Sequence, residues 1–268
     1  MSIVKSSLWF SLGTLLSRVS GLIREAVMAG VFGASSLLDA FFIANRIPNM
    51  LRDIAAEGAL GASFTKIFSE EWEKNPEKAK KFLKDSIAFY GLCLFILCVF
   101  GIMFSPFLVK ALTLFQHENR SEEFYKHCVG LTRLLFPFIA AMSLAAIFAG
   151  ALHQKGRFLI SSLTPIALNF GYILGAIFLA RVLEDFDFKW LENYIAPSNI
   201  TGLSLGVLLG GCLQCFVLFW LVKKSFFEQS SFFPLRLRWT PKIKETLFLM
   251  GPMVIASSSA QINIIINT

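Results

Sequence analysis

Arg18 and Arg24 stand inside a stretch, residues 7–33, that otherwise reads as a membrane-spanning helix. A guanidinium at bilayer depth costs roughly 2.5–3.5 kcal/mol on insertion scales, so a chain keeps one there for a counter-charge, a wet cavity or an anionic ligand. The next apolar stretch repeats the anomaly with Asp39, Arg46, Arg52, Asp53 and Glu57, and places Asn45 and Asn49 among them. Later stretches hold little charge beyond Arg133, with Asn169 as a further polar residue. Arginine's planar fork offers two parallel donors to one phosphate and stays protonated, so an anionic, phosphate-bearing ligand is the chemistry these side chains suit. Internal ion pairs, such as Arg24 with Asp39 or Arg18 with Glu25, would neutralise part of the charge without any ligand. They would not easily absorb Arg18, Arg24, Arg46 and Arg52 together.

At about 100° per residue, positions seven apart on a helix share a face. Arg18 and Glu25 therefore lie in line, with Ser17 and Gly21 forming a small, polar stripe beside them. On the second stretch Asp39, Arg46 and Asp53 are in phase, as are Asn45 and Arg52, with Asn49 one turn from Arg52. Pro48 cannot donate to the carbonyl of Ala44, so a bend or opening is expected there. Broken helices at membrane depth often mark transporter sites, while a plain proline kink that only shapes the bundle is the alternative.

Other chemistries find little support. The sequence carries no Walker loop, HExxH or GxSxG pattern, and His117, His127 and His153 form no ligand set. No metal site and no cofactor are expected. Cys212 and Cys215 make a CxxC, but without a second pair or a nearby histidine they read as small apolar residues on a helix. The net charge of +7 sits mostly in connectors between apolar runs, which membrane topology explains better than nucleic-acid binding.

The elements that must position the charges are themselves apolar. The chain is 55% hydrophobic and only 16% charged, against about 25% charged in soluble domains. Six apolar segments cover residues 6–32, 37–68, 82–114, 128–153, 158–182 and 201–222, and a seventh begins near Glu245 and runs to Thr268. About 20 apolar residues cross the hydrocarbon core, so the longer second and third segments should tilt, bend or protrude. Residues 69–81 read as a charged loop, and Thr240 with Pro241 reads as a helix start, followed by a kink at Gly251–Pro252. With the N-terminus inside, lysines and arginines in the inner connectors outnumber those in the outer ones about threefold, which places the N-terminus in the cytoplasm. The organisation expected is a lobe of six helices over 1–224, an amphipathic cytoplasmic linker over 225–244, and the start of helix seven over 245–268. The last residues have no polar flank, so a longer protein is expected.

The run SRVSGLIREAVMAGVFGASSLLDAFFIANRIPNMLRDIAAEGALGASFTKIF resembles the opening of the MurJ (MviN) lipid II flippases, bacterial members of the multidrug/oligosaccharidyl-lipid/polysaccharide exporter superfamily. LTRLLFPFIAAMSLAAIFAGALHQKGRF, SLTPIALNFGYI and GPMVIASSSAQINIIINT extend the resemblance along the chain in the right order. It implies an all-α polytopic membrane protein: the six-helix N-terminal lobe of a MATE-like two-lobed transporter plus the opening of helix seven. It further implies a multi-pass protein of the bacterial inner membrane that moves lipid II, the undecaprenyl diphosphate-linked precursor of peptidoglycan, by alternating access. A cationic central cavity would receive the diphosphate. Family positions map onto Arg18, Arg24 and Arg52 as diphosphate ligands, with Ser17 and Asn49 beside them. Asp39, Glu57 and Glu25 would orient arginines or act as gate partners, around the bend at Pro48. Asp53 departs from the family, which often carries a second arginine there. Membrane lipids are the only other partners expected, and a monomer is expected. Coupling would come from the membrane potential or from an ion at a site the sequence leaves unplaced. The competing readings are an exporter of another lipid-linked oligosaccharide or of a drug, a membrane enzyme acting on a lipid diphosphate, and a non-transporting scaffold.

Overall fold

A computed structural model of the chain describes residues 3–53, 59–113, 121–184, 199–228 and 231–266. Among them every regular element is helical. The helices are α1 (Ile3–Phe32), α2 (Ser36–Leu51), α3 (Gly61–Lys74), α4 (Pro76–Met103), α5 (Ser105–Thr113), α6 (Glu122–Gln154), α7 (Phe158–Leu163), α8 (Pro165–Leu174), a π-helical turn Gly175–Leu179, α9 (Ala180–Glu184), α10 (Asn199–Phe226) and α11 (Pro241–Ile266).

Local chemistry explains the boundaries. Gly33 closes α1 with a φ of 56° and Gly156 follows α6 with a φ of 67°, a region open to glycine at no steric cost. Ser35 accepts from the Leu38 N–H at 3.3 Å, Ser121 from Phe124 at 3.2 Å and Thr240 from Ile243 at 3.3 Å, each satisfying an orphan donor of the helix it starts. The expected start at Thr240–Pro241 is thus present.

The stretch 69–81 departs from the loop expected of it. α3 runs on to Lys74, Asn75 is extended, and α4 starts at once with Pro76. The Asn75 carboxamide accepts from Glu77 N–H at 3.0 Å and Lys78 N–H at 3.1 Å, and Pro76 is pre-set for a first helical position. Charge alone suggested a loop, but Glu, Lys and Ala are good helix formers and the Asn-Pro pair turns the chain. The second apolar segment divides into α2 and α3, with π-type turns at residues 52–53 and 59–60. The third divides into α4 and α5 at Phe104, and the fifth divides at Thr164–Pro165.

Among the described residues, four helical rods are long and apolar enough to cross a membrane: Pro76–Met103, Glu122–Gln154, Phe158–Leu183 and Asn199–Phe226. α6 forms the axis of the bundle, packed against α2, α3, α4, α5 and α10, while α1 lies along α7 and α8. One core joins α3, α4, α10 and the last turns of α6 around Phe64, Phe68, Leu83, Leu152 and Val222. Another joins α2, α8, α10 and the first half of α6 around Phe41, Leu131, Leu135, Phe138 and Leu203. Large apolar side chains also face outward, among them Phe95, Val99 and Phe100 on α4 and Leu209, Leu213 and Phe216 on α10, as suits a hydrocarbon solvent.

α8 and α10 meet along glycine. Gly171 and Gly175 face Gly202, Gly206 and Gly210, two runs of small residues at four-residue spacing. A methyl group added at Gly171 would sit 2.5 Å from the Gly206 carbonyl oxygen, and one at Gly175 would sit 2.8 Å from Gly206 Cα. Backbones that close are open only to glycine, the usual device for packing helices in lipid.

Candidate functional site

Two polar features lie along α1, about two turns apart. The first is a cavity of about 820 Å³ between α1, α3, α6, the α7–α8 junction and α10. Gly13 abuts Ser162 and Gly150 abuts Thr65, so α1 meets α7 and α3 meets α6 at glycine contacts. Between these contacts α6 presents Ala145, Ala146 and Ala149, whose short side chains leave the space open. Ser17 and Arg18 line the cavity together with Lys66, His153, Ser161 and Gln214. His153 Nε2 lies 2.9 Å from Ser161 Oγ, and its ring stacks on Phe158 at 5.2 Å. The described lining carries two permanent cations, Arg18 and Lys66, and no carboxylate.

The second feature centres on Arg24. Its Nη1 donates to Asn169 Oδ1 at 3.1 Å, its Nη2 pairs with Glu25, and its Cζ stands 4.8 Å from the centre of the Tyr172 ring. Asn169 gives both donors of its amide nitrogen to α1, one to Ser20 Oγ at 2.7 Å and one to the Ser17 carbonyl at 3.3 Å. Tyr172, one turn further on, accepts from Asn45 Nδ2 at 3.3 Å. Asn45, Asn169 and Tyr172 are all buried, so α8 joins α1 to α2 through a polar bridge. Arg24 Nε is buried within it without a hydrogen-bond partner.

Arg52 stands just past the end of α2. Its Nε and Nη2 both donate to Asp53 Oδ1, at 3.1 and 2.7 Å. α2 continues through buried Pro48 to Leu51, and π-type geometry begins at Arg52. Asn49 is half-buried, and its carbonyl receives the Arg52 N–H. Asp39 lies exposed in the first turn of α2, where a carboxylate favours the helix dipole. Glu57 lies outside the described residues.

The structure thus divides the expected site. Ser17 and Arg18 go to the cavity, Arg24 and Glu25 go to the polar bridge, and Arg52 stands with Asp53 past the end of α2. Glu25 beside Arg24 and Asp53 beside Arg52 are each the arginine's own chain neighbour. Adjacent residues do not face each other on a helix, so each pair forms by the long arginine folding sideways. Lys66, Gln214 and Tyr172 belong to no motif in the sequence, and His153 is read there only as part of no ligand set. Tyr172 was accessible by spacing, since it follows Asn169 by three residues on an apolar helix.

Asn169→Leu is expected to unfold at lower temperature than the parent protein. It removes one acceptor from Arg24 and two donors from α1, and unmade buried hydrogen bonds cost about 1–3 kcal/mol. Thermal unfolding of the purified full-length protein measures this, and an unchanged Tm would mean that α1 and α8 are joined by packing alone.

The family profile for the lipid II flippase MurJ matches residues 28–268. The chain is 34% identical over 270 residues to the lipid II flippase MurJ of Burkholderia cenocepacia, covering 100% of this chain and 49% of that protein. It is 32% identical over 269 residues to the probable lipid II flippase MurJ of Rhizobium meliloti, again covering 100% of this chain and 48% of the relative. A solved structure described as lipid II flippase MurJ in an inward closed conformation superposes with a TM-score of 0.70 at 27% identity, covering 96% of this chain and 49% of that one. The chain spans about half the length of the relatives it matches.

Proposed function

This chain belongs to the lipid II flippase MurJ family, and we propose that it supplies the N-terminal lobe of a flippase carrying lipid II across the bacterial inner membrane. In this reading residues 1–224 are the lobe, 225–244 the cytoplasmic linker and 245–268 the start of helix seven. The observation that carries it is the pairing of Arg18 with Lys66 in a cavity whose described lining holds no carboxylate. Such a wall attracts a diphosphate and repels the cationic drugs that acid-lined exporters take.

The arginines divide the work. Arg18 meets the diphosphate first, with Ser17 beside it. Arg24 and Arg52 are held by Glu25 and Asp53, and exchange those neighbours for phosphate oxygens as the head group moves along α1. Asn169 and Tyr172 keep Arg24 in place during that exchange. Asp39 and Glu57 serve as gate partners, Asn49 lines the path, and the π-type turn after Pro48 lets α2 and α3 move separately. No covalent step is needed. The membrane potential can assist, at about 2.3 kcal/mol per charge per 100 mV. The protein works as a monomer, without a cofactor.

Reconstitution tests the proposal. Vesicles holding the full-length protein and lipid II in one leaflet are expected to expose the head group to an impermeant reagent added outside; no exposure beyond protein-free vesicles would refute the assignment. The proposed topology places the N-terminus in the cytoplasm. Lys78→Cys should then resist an impermeant thiol reagent in intact cells while Glu122→Cys reacts, and the reverse pattern would invert it.

A further inference from the structure

The outward apolar rows of two helices end beside the same segment of chain. On α10, Leu209, Leu213, Phe216 and Trp220 point outward at helical spacing, and Lys224 closes the row with its Nζ 5.4 Å from the centre of the Trp220 ring. On α4, Leu92, Phe95, Ile96 and Val99 point outward, and Phe89 stands one turn before Leu92 on the same face. A tryptophan beside a lysine at the foot of an apolar row marks where a helix leaves the hydrocarbon for the head groups. The connector from α10 to α11 runs along α4 at that level. Lys84 donates to the Ser231 carbonyl, and Trp239 packs edge-to-face on Phe89 at 5.3 Å.

The connector turns one set of side chains inward and another outward. Phe227 and Phe232 are buried, packed edge-to-face at 5.1 Å. Phe233, Leu237 and Trp239 are 60, 60 and 63% exposed, and Arg236 is exposed among them. Around them stand Lys223, Lys224, Arg236, Arg238, Lys242 and Lys244 against one carboxylate, Glu228. Exposed apolar side chains set among cations, at the edge of an apolar belt, suit the membrane interface.

We propose that residues 231–239 form an interfacial anchor for anionic phospholipid. Phe233, Leu237 and Trp239 enter the acyl boundary, Arg236 binds the head-group phosphate, and the surrounding cations favour an anionic head group over a zwitterionic one. The anchor is independent of what the protein transports. Trp239 directly precedes Thr240, whose hydroxyl caps α11, so the anchor sets the level at which α11 begins.

The test places benzoylphenylalanine at Leu237 of the full-length protein, in vesicles of phosphatidylcholine with a minor share of phosphatidylglycerol. Mass spectrometry after illumination identifies what the probe has joined. Phospholipid adducts are expected, with phosphatidylglycerol enriched about fivefold over its share of the bilayer, the pull of one basic side chain at an anionic surface. Arg236→Gln should bring the adducts down to that share, Arg236→Lys should keep the enrichment, and both should melt with the parent protein. A crosslink to the rest of the polypeptide or to a second copy would overturn the anchor, because protein then covers this face. Adducts in proportion to the bilayer would overturn it too, as would enrichment that Arg236→Gln leaves unchanged. A lowered Tm in Arg236→Gln would assign that side chain to the fold and refute its lipid role.

Discussion

Arg18→Ala in the full-length protein is expected to lower lipid II translocation about 10- to 100-fold, the loss of one charge-assisted contact to phosphate. The same variant should fold and insert normally. Arg18 is exposed along the cavity, and exposed substitutions usually fall within about 0.5 kcal/mol. Arg24→Ala provides the contrast. It strips Asn169 Oδ1 and Glu25 of their partner and removes the cation from the Tyr172 ring, so it should lose both transport and thermal stability. Arg18→Lys should recover part of the activity, because an ammonium keeps the charge without the two-pronged geometry. Wild-type translocation by Arg18→Ala in reconstituted vesicles would remove Arg18 from the path.

The difference between these arginines is one the sequence could not express. Helical phase puts Arg18 in line with Glu25 and leaves Arg24 to one side, yet Arg24 is the residue that pairs with Glu25. Phase describes where a side chain leaves the backbone. A guanidinium carried on three methylenes ends wherever its partners lie, and for Arg24 these are Glu25 beside it and Asn169 and Tyr172 on α8, far along the chain. Composition reported the anomaly of charge within apolar segments, and the long apolar runs reported the membrane helices. Periodicity alone could not place Asn169 against Ser17 and Ser20, because that contact depends on how closely α8 lies to its neighbours. Residues 69–81 show the opposite failure. Their charge was legible and their helicity was masked by it, until Asn75 and Pro76 are read as a cap.

The close approach of α8 also sets the largest expected effect on folding. Gly206→Leu forces a side chain into a space already filled by backbone: a Cβ there would meet the Gly171 carbonyl oxygen and stand 2.5 Å from Gly175 Cα. Backbone cannot rotate away as a flexible side chain does, so α8 and α10 must separate. Overpacking typically costs about 1–3 kcal/mol, and this site belongs at or above the upper figure. For a protein of this size that is a fall in Tm of about 6–12 °C. Leu209→Ala, on the outward face of the same helix, separates the seam from the helix itself and should shift Tm far less. Transport should fail with the fold in Gly206→Leu, since α8 carries Asn169 and Tyr172 and its displacement withdraws both from Arg24. If Gly206→Leu melts with the parent protein, the glycine seam does not hold the lobe together, and the support of Arg24 must come from α2 through Asn45.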